Sequence, residues 1–211
     1  MSTNTLYPIF LKLDQIEVLI VGAGKVGLEK LTYILKSSPK ANITVIAKEI
    51  DYRVEELSHF YSNITLVQKA YHKSDLEGVD LLIVATDNSI LNQRIKADAK
   101  KLHLLTNVAD KPELCDFYLG AIVTKGSVKL AISTNGKSPT LAIRLKEILN
   151  DAIPENINES ANELNIIRNR LKGNLGVKIN TLNQLTGILV DDINHQQSQN
   201  KSSILQQINW N

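Results

Sequence analysis

Four consecutive apolar residues, Val18, Leu19, Ile20 and Val21, run straight into the spacing GxGxxG at Gly22, Gly24 and Gly27, and then into residues that suit a helix. Few folds accept that order. An unbroken, mostly β-branched run reads as a strand covered on both faces, as in a parallel sheet. The three glycines meet separate physical needs, since Gly22 turns the chain sharply, Gly24 lets the backbone approach a pyrophosphate, and Gly27 lets helix and strand pack closely. The pattern predicts an α/β fold with a doubly wound parallel sheet and a helix running to about Ser37, with Val26 turned inward and Ser38 and Pro39 ending it. Unpaired N–H groups at that helix start suit a phosphate, so dinucleotide binding is the leading reading and a purely structural turn the alternative.

Later segments continue the strand and helix alternation. Strands are expected at Asn42–Ala47, Thr65–Gln68, Asp80–Ala85 and His103–Val108. The strand at Asn42–Ala47 ends in Lys48 and Glu49, roughly where dinucleotide sites carry an acid about 20 residues past the glycines. Glu49 suits the ribose hydroxyl of NAD and Lys48 a 2′-phosphate, so the chemistry favours NAD slightly. The strand at Asp80–Ala85 leads into Thr86, Asp87 and Asn88 at the ligand edge of the sheet, where Asp87 or Asn88 equally suits the N-cap of a helix over Ser89–Lys101. The next strand delivers Asp110 to the same edge just before Lys111 and Pro112. Asp110 is the strongest candidate for moving a proton, with a turn or capping role as the alternative.

The pattern changes near residues 112–117. Tyr118–Val123 and Val128–Thr134 flank Thr124–Ser127 as a hairpin, and Ser138 with Pro139 opens a helix whose Leu141, Leu145, Ile148 and Leu149 form an apolar stripe. Helices follow at Glu155–Leu171 and Val177–Ile193, separated by Gly173 and Gly176, then a polar tail, His195–Lys201, and Trp210, which hints at docking of the last residues. Ahead of the first strand, Leu6–Leu13 is too apolar for a loose tail and is expected to pack on the sheet edge or a domain junction. A net charge of +2 without an Arg-rich run argues against nucleic-acid binding. Cys115 is the single cysteine, and His59, His72, His103 and His195 lack metal-ligand spacing, so neither a disulfide framework nor a resident metal is expected. Cys115 is expected to fill space rather than act as a nucleophile. No stretch of 18 apolar residues and no signal pattern occurs, which fits a cytoplasmic protein off the membrane.

Taken in order, YPIFLKL at 7–13, VLIVGAGKVGLEK at 18–30, VATDNSILNQRI at 84–95, TNVADKPELCDF at 106–117 and LAISTNGKSPTLAIRLKEIL at 130–149 resemble the precorrin-2 dehydrogenase family of sirohaem synthesis. The resemblance implies NAD-dependent oxidation of precorrin-2 to sirohydrochlorin in a homodimer. It implies a nucleotide domain over 1–113, a dimerisation and substrate-cleft region over 114–150 and a helical region over 151–211. By position, Asp110 matches the family's essential aspartate. Lys25, Val26, Lys48 and Glu49 fall where the family contacts NAD, joined by Gly22, Gly24, Gly27, Thr86 and Asp87. Asn107 and Ser138 are the expected tetrapyrrole contacts, and Ser138 matches a G-x-S-P serine that in relatives can also be modified. Some relatives insert ferrous iron as well, so a bifunctional dehydrogenase and ferrochelatase is the near alternative. A non-catalytic nucleotide-sensing or tetrapyrrole-carrying module is the alternative of another class.

Overall fold

Five parallel strands, β1 (Glu17–Ala23), β2 (Asn42–Ile50), β3 (Ile64–Gln68), β4 (Leu81–Val84) and β5 (Leu105–Val108), form one sheet in the order β3-β2-β1-β4-β5. The structure is a computed structural model that describes residues 3–171, 174, 176 and 178–186. Helices α1 (Lys25–Ser37), α2 (Tyr52–His59) and α3 (Ser89–Lys101) connect the strands. Alternation along β1 explains the unbroken apolar run. Val18 and Ile20 join Leu31, Ile34 and Leu35 of α1 and Val54 of α2 in one core, while Leu19 and Val21 join Leu82, Val84, Ile95 and Ala99 in the other. Each such large side chain contributes about 1.5–3 kcal/mol on burial. The doubly wound sheet is therefore as expected, and strand order reverses between β1 and β4, which opens a crevice at their carboxyl ends.

Several details differ from the sequence reading. Strand β2 runs on to Ile50 because a register shift between Val21 and Ala23 lets Ala23 pair with Ile50, so Lys48 and Glu49 lie inside the strand rather than beyond it. Strand β5 starts two residues later than expected, since His103 takes a left-handed turn with φ 55° after α3. Helix α2 was not expected. Asp51 caps it, its carboxylate accepting from the backbone N–H of Arg53 at 3.0 Å and from the same residue's Nε and Nη2 at 2.9 and 2.6 Å.

Those bonds favour ionised Asp51 and hold its carboxyl down at about 2 from the ordinary 3.8, the side-chain bond from Arg53 being the main cause. The group is depressed in the folded state, so its contribution is complete above the ordinary value and is lost as pH falls through about 2. The Tm gap between the parent and Asp51→Ala is thus expected to narrow as the pH is lowered from about 5 towards about 2. A gap independent of pH would show that the charge on the cap is irrelevant.

Beyond the sheet, β6 (Ala121–Lys125) and β7 (Val128–Ile132) form the expected hairpin with a shorter turn, Gly126 and Ser127, in which Gly126 has φ 58°. Lys129 on β7 donates from Nζ to the backbone oxygen of Ser37 at 2.6 Å and to its Oγ at 3.0 Å, placing a cation at the carbonyl-rich end of α1. Helix α4 (Pro139–Ala152) buries Ala142, whereas Leu141 and Ile148 of the predicted stripe face outward. The arm also departs from expectation: Leu13 touches the core, but Tyr7 is 86% and Phe10 66% exposed.

The chain divides into two compact units, one of residues up to Thr124 together with Lys129–Ala152, the other of Lys125–Val128 together with residues from Ile153 onward. Within the second unit, α5 (Ile157–Arg170) begins beside the hairpin tip, where Asn158 Oδ1 accepts from Ser127 N–H at 2.8 Å and Lys125 pairs with Glu155. Residues 178–186 are helical. Gly173, the rest of the expected helix to Ile193, the tail with His195 and Trp210 lie outside the described residues. Among the described residues no helix is long and apolar enough to cross a membrane.

Candidate functional site

The carboxyl ends of the strands open into a cleft of about 700 Å³ whose floor is the glycine turn. Gly22 has φ 109°, and a Cβ there would lie 2.5 Å from the backbone oxygen of Ala85. At Gly27 a Cβ would overlap the Gly22 carbonyl oxygen, so this glycine sits beneath the cleft and lets α1 press on the turn. Gly24 is different. Its φ is −84° and an added Cβ would meet nothing within 4 Å. The protein's own packing does not require glycine there, and what its absent side chain does is leave backbone accessible from the cleft.

The start of α1 points the same way. Asp51 caps α2 and Asn88 caps α3, the latter accepting from Leu91 N–H at 3.0 Å, but α1 has no side-chain cap and no acid in its first turn. Its first N–H groups therefore present partial positive charge to the cleft without an acceptor from the protein's side chains. That is the donor set a pyrophosphate needs, and the cradle fits a dinucleotide.

The rest of the cleft gathers most of the predicted cofactor contacts. Lys25, Val26, Lys48, Glu49, Thr86 and Asp87 line it together with Gly22 and Gly24. Val26 borders the cleft instead of turning into the core, where Leu31, Ile34 and Leu35 of α1 do the packing. Thr86 Oγ1 donates to Asn92 Oδ1, and Asn92 Nδ2 donates back to the Thr86 carbonyl at 3.0 Å, which fixes the loop between β4 and α3. Asn92 is buried and was missed by sequence reading, as were Lys69 and Tyr71 on the opposite wall. Tyr71 donates from its hydroxyl to Asp98 Oδ2 at 3.4 Å. Burial first, and then the Asp98 charge, pushes it up to about 12, so it stays protonated at neutral pH.

Asp110 stands where β5 ends. Ala109 N–H donates to the Val84 carbonyl at 2.9 Å, and the next residue turns left-handed with φ 58°. Asp and Asn accept that conformation better than most residues. The exposed carboxylate borders the glycine-turn cleft and also a second cleft of about 450 Å³. Lys30 and Tyr33 of α1, the segment after β5, the start of β6, the end of β7 and one face of α4 form this second space. Tyr33 donates to the Gly120 carbonyl, and burial pushes its hydroxyl up.

The two residues expected to touch substrate have structural bonds. Asn107 lines the second cleft, yet its Nδ2 donates to the Phe117 carbonyl at 2.8 Å and anchors the segment after β5. Ser138 caps α4, its Oγ accepting from Leu141 N–H at 3.2 Å, while its neighbours Gly136 and Pro139 line the cleft. The Cys115 thiol donates to the Val108 carbonyl at 3.2 Å, and burial pushes it up, away from the thiolate a nucleophile needs. Among the described residues no three His, Cys, Asp or Glu side chains are grouped to hold a metal ion.

Residues 9–121 match a family profile described as NAD(P)-binding, and residues 125–152 match one described as "Sirohaem biosynthesis protein central". The chain is 36% identical over 176 residues to a siroheme synthase of Psychrobacter arcticus, covering 83% of this chain and 31% of that protein. It is also 36% identical over 165 residues to a siroheme synthase of Methylococcus capsulatus, covering 78% of this chain and 34% of the relative. It thus spans about a third of the length of the curated relatives it matches. The solved structure of "SirC, precorrin-2 dehydrogenase" superposes with a TM-score of 0.69 at 26% identity, covering 85% of this chain and 89% of that one.

Proposed function

Because the chain belongs to the siroheme synthase and precorrin-2 dehydrogenase family, we propose that it oxidises precorrin-2 to sirohydrochlorin with NAD as acceptor. Asp110 takes the proton. The observation that carries this reading is that Asp110 and Ala109 are the two residues lining both clefts, and only Asp110 can accept a proton. In this reading the glycine-turn cleft holds the dinucleotide and the second cleft holds the tetrapyrrole. The oxidation removes two electrons and two hydrogens, one as hydride and one as a proton. Bound NAD supplies the hydride acceptor. The chain's own residues do the remaining work: the α1 N–H groups grip the pyrophosphate, the bonds between half-buried Thr86 and buried Asn92 keep the loop beside it in place, and Asp110 receives the proton at its carboxylate.

NAD is the proposed cofactor because Glu49 lies at the cleft's rim near the end of β2, where a carboxylate binds a ribose diol and repels a 2′-phosphate. Steady-state kcat/KM with precorrin-2 is expected to be higher for NAD than for NADP. The reverse order would assign the position to Lys48, and no turnover with either would remove the dehydrogenase reading.

We assign a homodimer to this reading, with residues 114–150 supplying much of the contact. Tyr7, Ile9 and Phe10 of the arm and Leu141, Ile143 and Ile148 of α4 are large apolar side chains left in solvent, which a second copy of the chain would cover. Sedimentation over a concentration series is expected to give twice the chain mass at micromolar concentration. A chain that stays monomeric throughout would contradict it.

A further inference from the structure

The two clefts that meet at Asp110 differ in charge. Lys25, Lys48 and Lys69, the last paired with Asp75, stand with Glu49, Asp87 and Asp110 around the glycine-turn cleft, so cations are not in excess there. Around the second cleft, Lys30, Lys111 and Lys146 face Asp110 alone. Lys30 is paired with Glu29 at 2.8 Å, whereas the ammonium groups of Lys111 and Lys146 form no ion pair among the described residues. Much of the lining is apolar, with Ile122, Ile132 and Pro139. An apolar wall with unpaired cations at its edge matches a flat ring system carrying carboxylates on its perimeter. The ring gains from leaving water, and the carboxylates gain from the ammonium groups.

We infer that Lys111 and Lys146 recognise peripheral carboxylates of a planar polycarboxylate macrocycle and set the cleft's preference for a highly carboxylated ring. The inference rests on the reading that the tetrapyrrole occupies this cleft. The two lysines come from different elements, the loop after β5 and helix α4, and both line the cleft. Lys111 follows Asp110 directly, which ties carboxylate binding to the residue that takes the proton. Both ammonium groups are exposed, so the attraction is screened by salt.

The test uses the full chain with saturating NAD and two fluorescent probes, uroporphyrin with eight carboxylates and coproporphyrin with four. The parent is expected to bind the octacarboxylate more tightly, and Lys111→Gln/Lys146→Gln to bind it about tenfold more weakly with little change for the tetracarboxylate. Lys111→Arg/Lys146→Arg should keep the preference, and NAD affinity should be the same in all three proteins. Raised salt should weaken uroporphyrin binding to the parent more than to the Gln variant. A Gln variant that retains the parent's preference, or a parent that binds both probes alike, overturns the inference. Parallel kinetics separate it from the reading beneath it. A parent that fails to oxidise precorrin-2 yet shows the lysine-dependent preference would refute the dehydrogenase reading alone. A parent that oxidises precorrin-2 with a KM unaltered in the Gln variant would refute the lysine assignment alone.

Discussion

Asp110→Asn is expected to cut kcat/KM for precorrin-2 oxidation by about 10² or more, the usual scale of general acid–base help, while leaving Tm and NAD affinity near those of the parent. The choice of Asn follows from the backbone. Residue 110 sits at φ 58°, where Asn is nearly as well tolerated as Asp and where most other side chains would add strain. The carboxylate forms no side-chain hydrogen bond or ion pair among the described residues, so the substitution removes no structural bond. Asn keeps the size and loses the ability to take a proton. A stable variant with full turnover would take Asp110 out of the chemistry. A variant that lost stability together with NAD binding would identify the residue as part of the turn instead.

Gly24→Leu is expected to weaken NAD binding by roughly 10²-fold or more without lowering stability appreciably, a loss that follows from hydrogen bonds to a charged group. The two halves of that statement have different causes. Folding is spared because φ is −84° and an added Cβ meets nothing within 4 Å. Binding suffers because the side chain would fill the approach to the α1 N–H groups, and each lost hydrogen bond to a charged group costs about 1.5–3 kcal/mol. Gly22 and Gly27 make the control. A side chain at either runs into backbone, at Ala85 or at the Gly22 carbonyl, so Gly22→Ala and Gly27→Ala should destabilise the fold itself. Unchanged NAD affinity in a folded Gly24→Leu protein would move the dinucleotide away from this turn.

The parts of the fold that were legible are those in which one physical requirement leaves one pattern. Val18–Val21 must be buried on both faces, and Gly22 and Gly27 must lack a Cβ, so strand, turn and helix could be read directly. Asn88 and Ser138 were legible as caps for the same reason. Helix α2 was missed because it has only eight residues, although Asp51 followed by Val54 and Leu57 carried a cap and an apolar face. The extension of β2 depends on a register shift in its neighbour, which no local pattern records.

Within the site, residue types were readable but their bonds were not. Asn107 reads as a polar group at a ligand edge, and only the chain's path from Cys115 to Phe117 gives its amide a backbone partner. Tyr71 depends on a partner 27 residues away, and the Asn92 bond to Thr86, six residues apart, depends on how the turn between β4 and α3 folds. Hydropathy also misled at the arm and along α4. Apolar residues such as Phe10 and Ile148 read as core whether the surface that covers them belongs to the same chain or to another.

Coupling of macrocycle oxidation to NAD reduction is what the two clefts meeting at Asp110 exist to provide in this reading. It is measured by anaerobic mixing of the protein with precorrin-2 and NAD, following NADH and sirohydrochlorin by their separate absorption bands. The two products are expected to rise together in equal amounts, neither should rise without the protein, and both should slow together in Asp110→Asn. Sirohydrochlorin appearing at the same rate when NAD is omitted, or NADH failing to appear with it, would contradict the coupling.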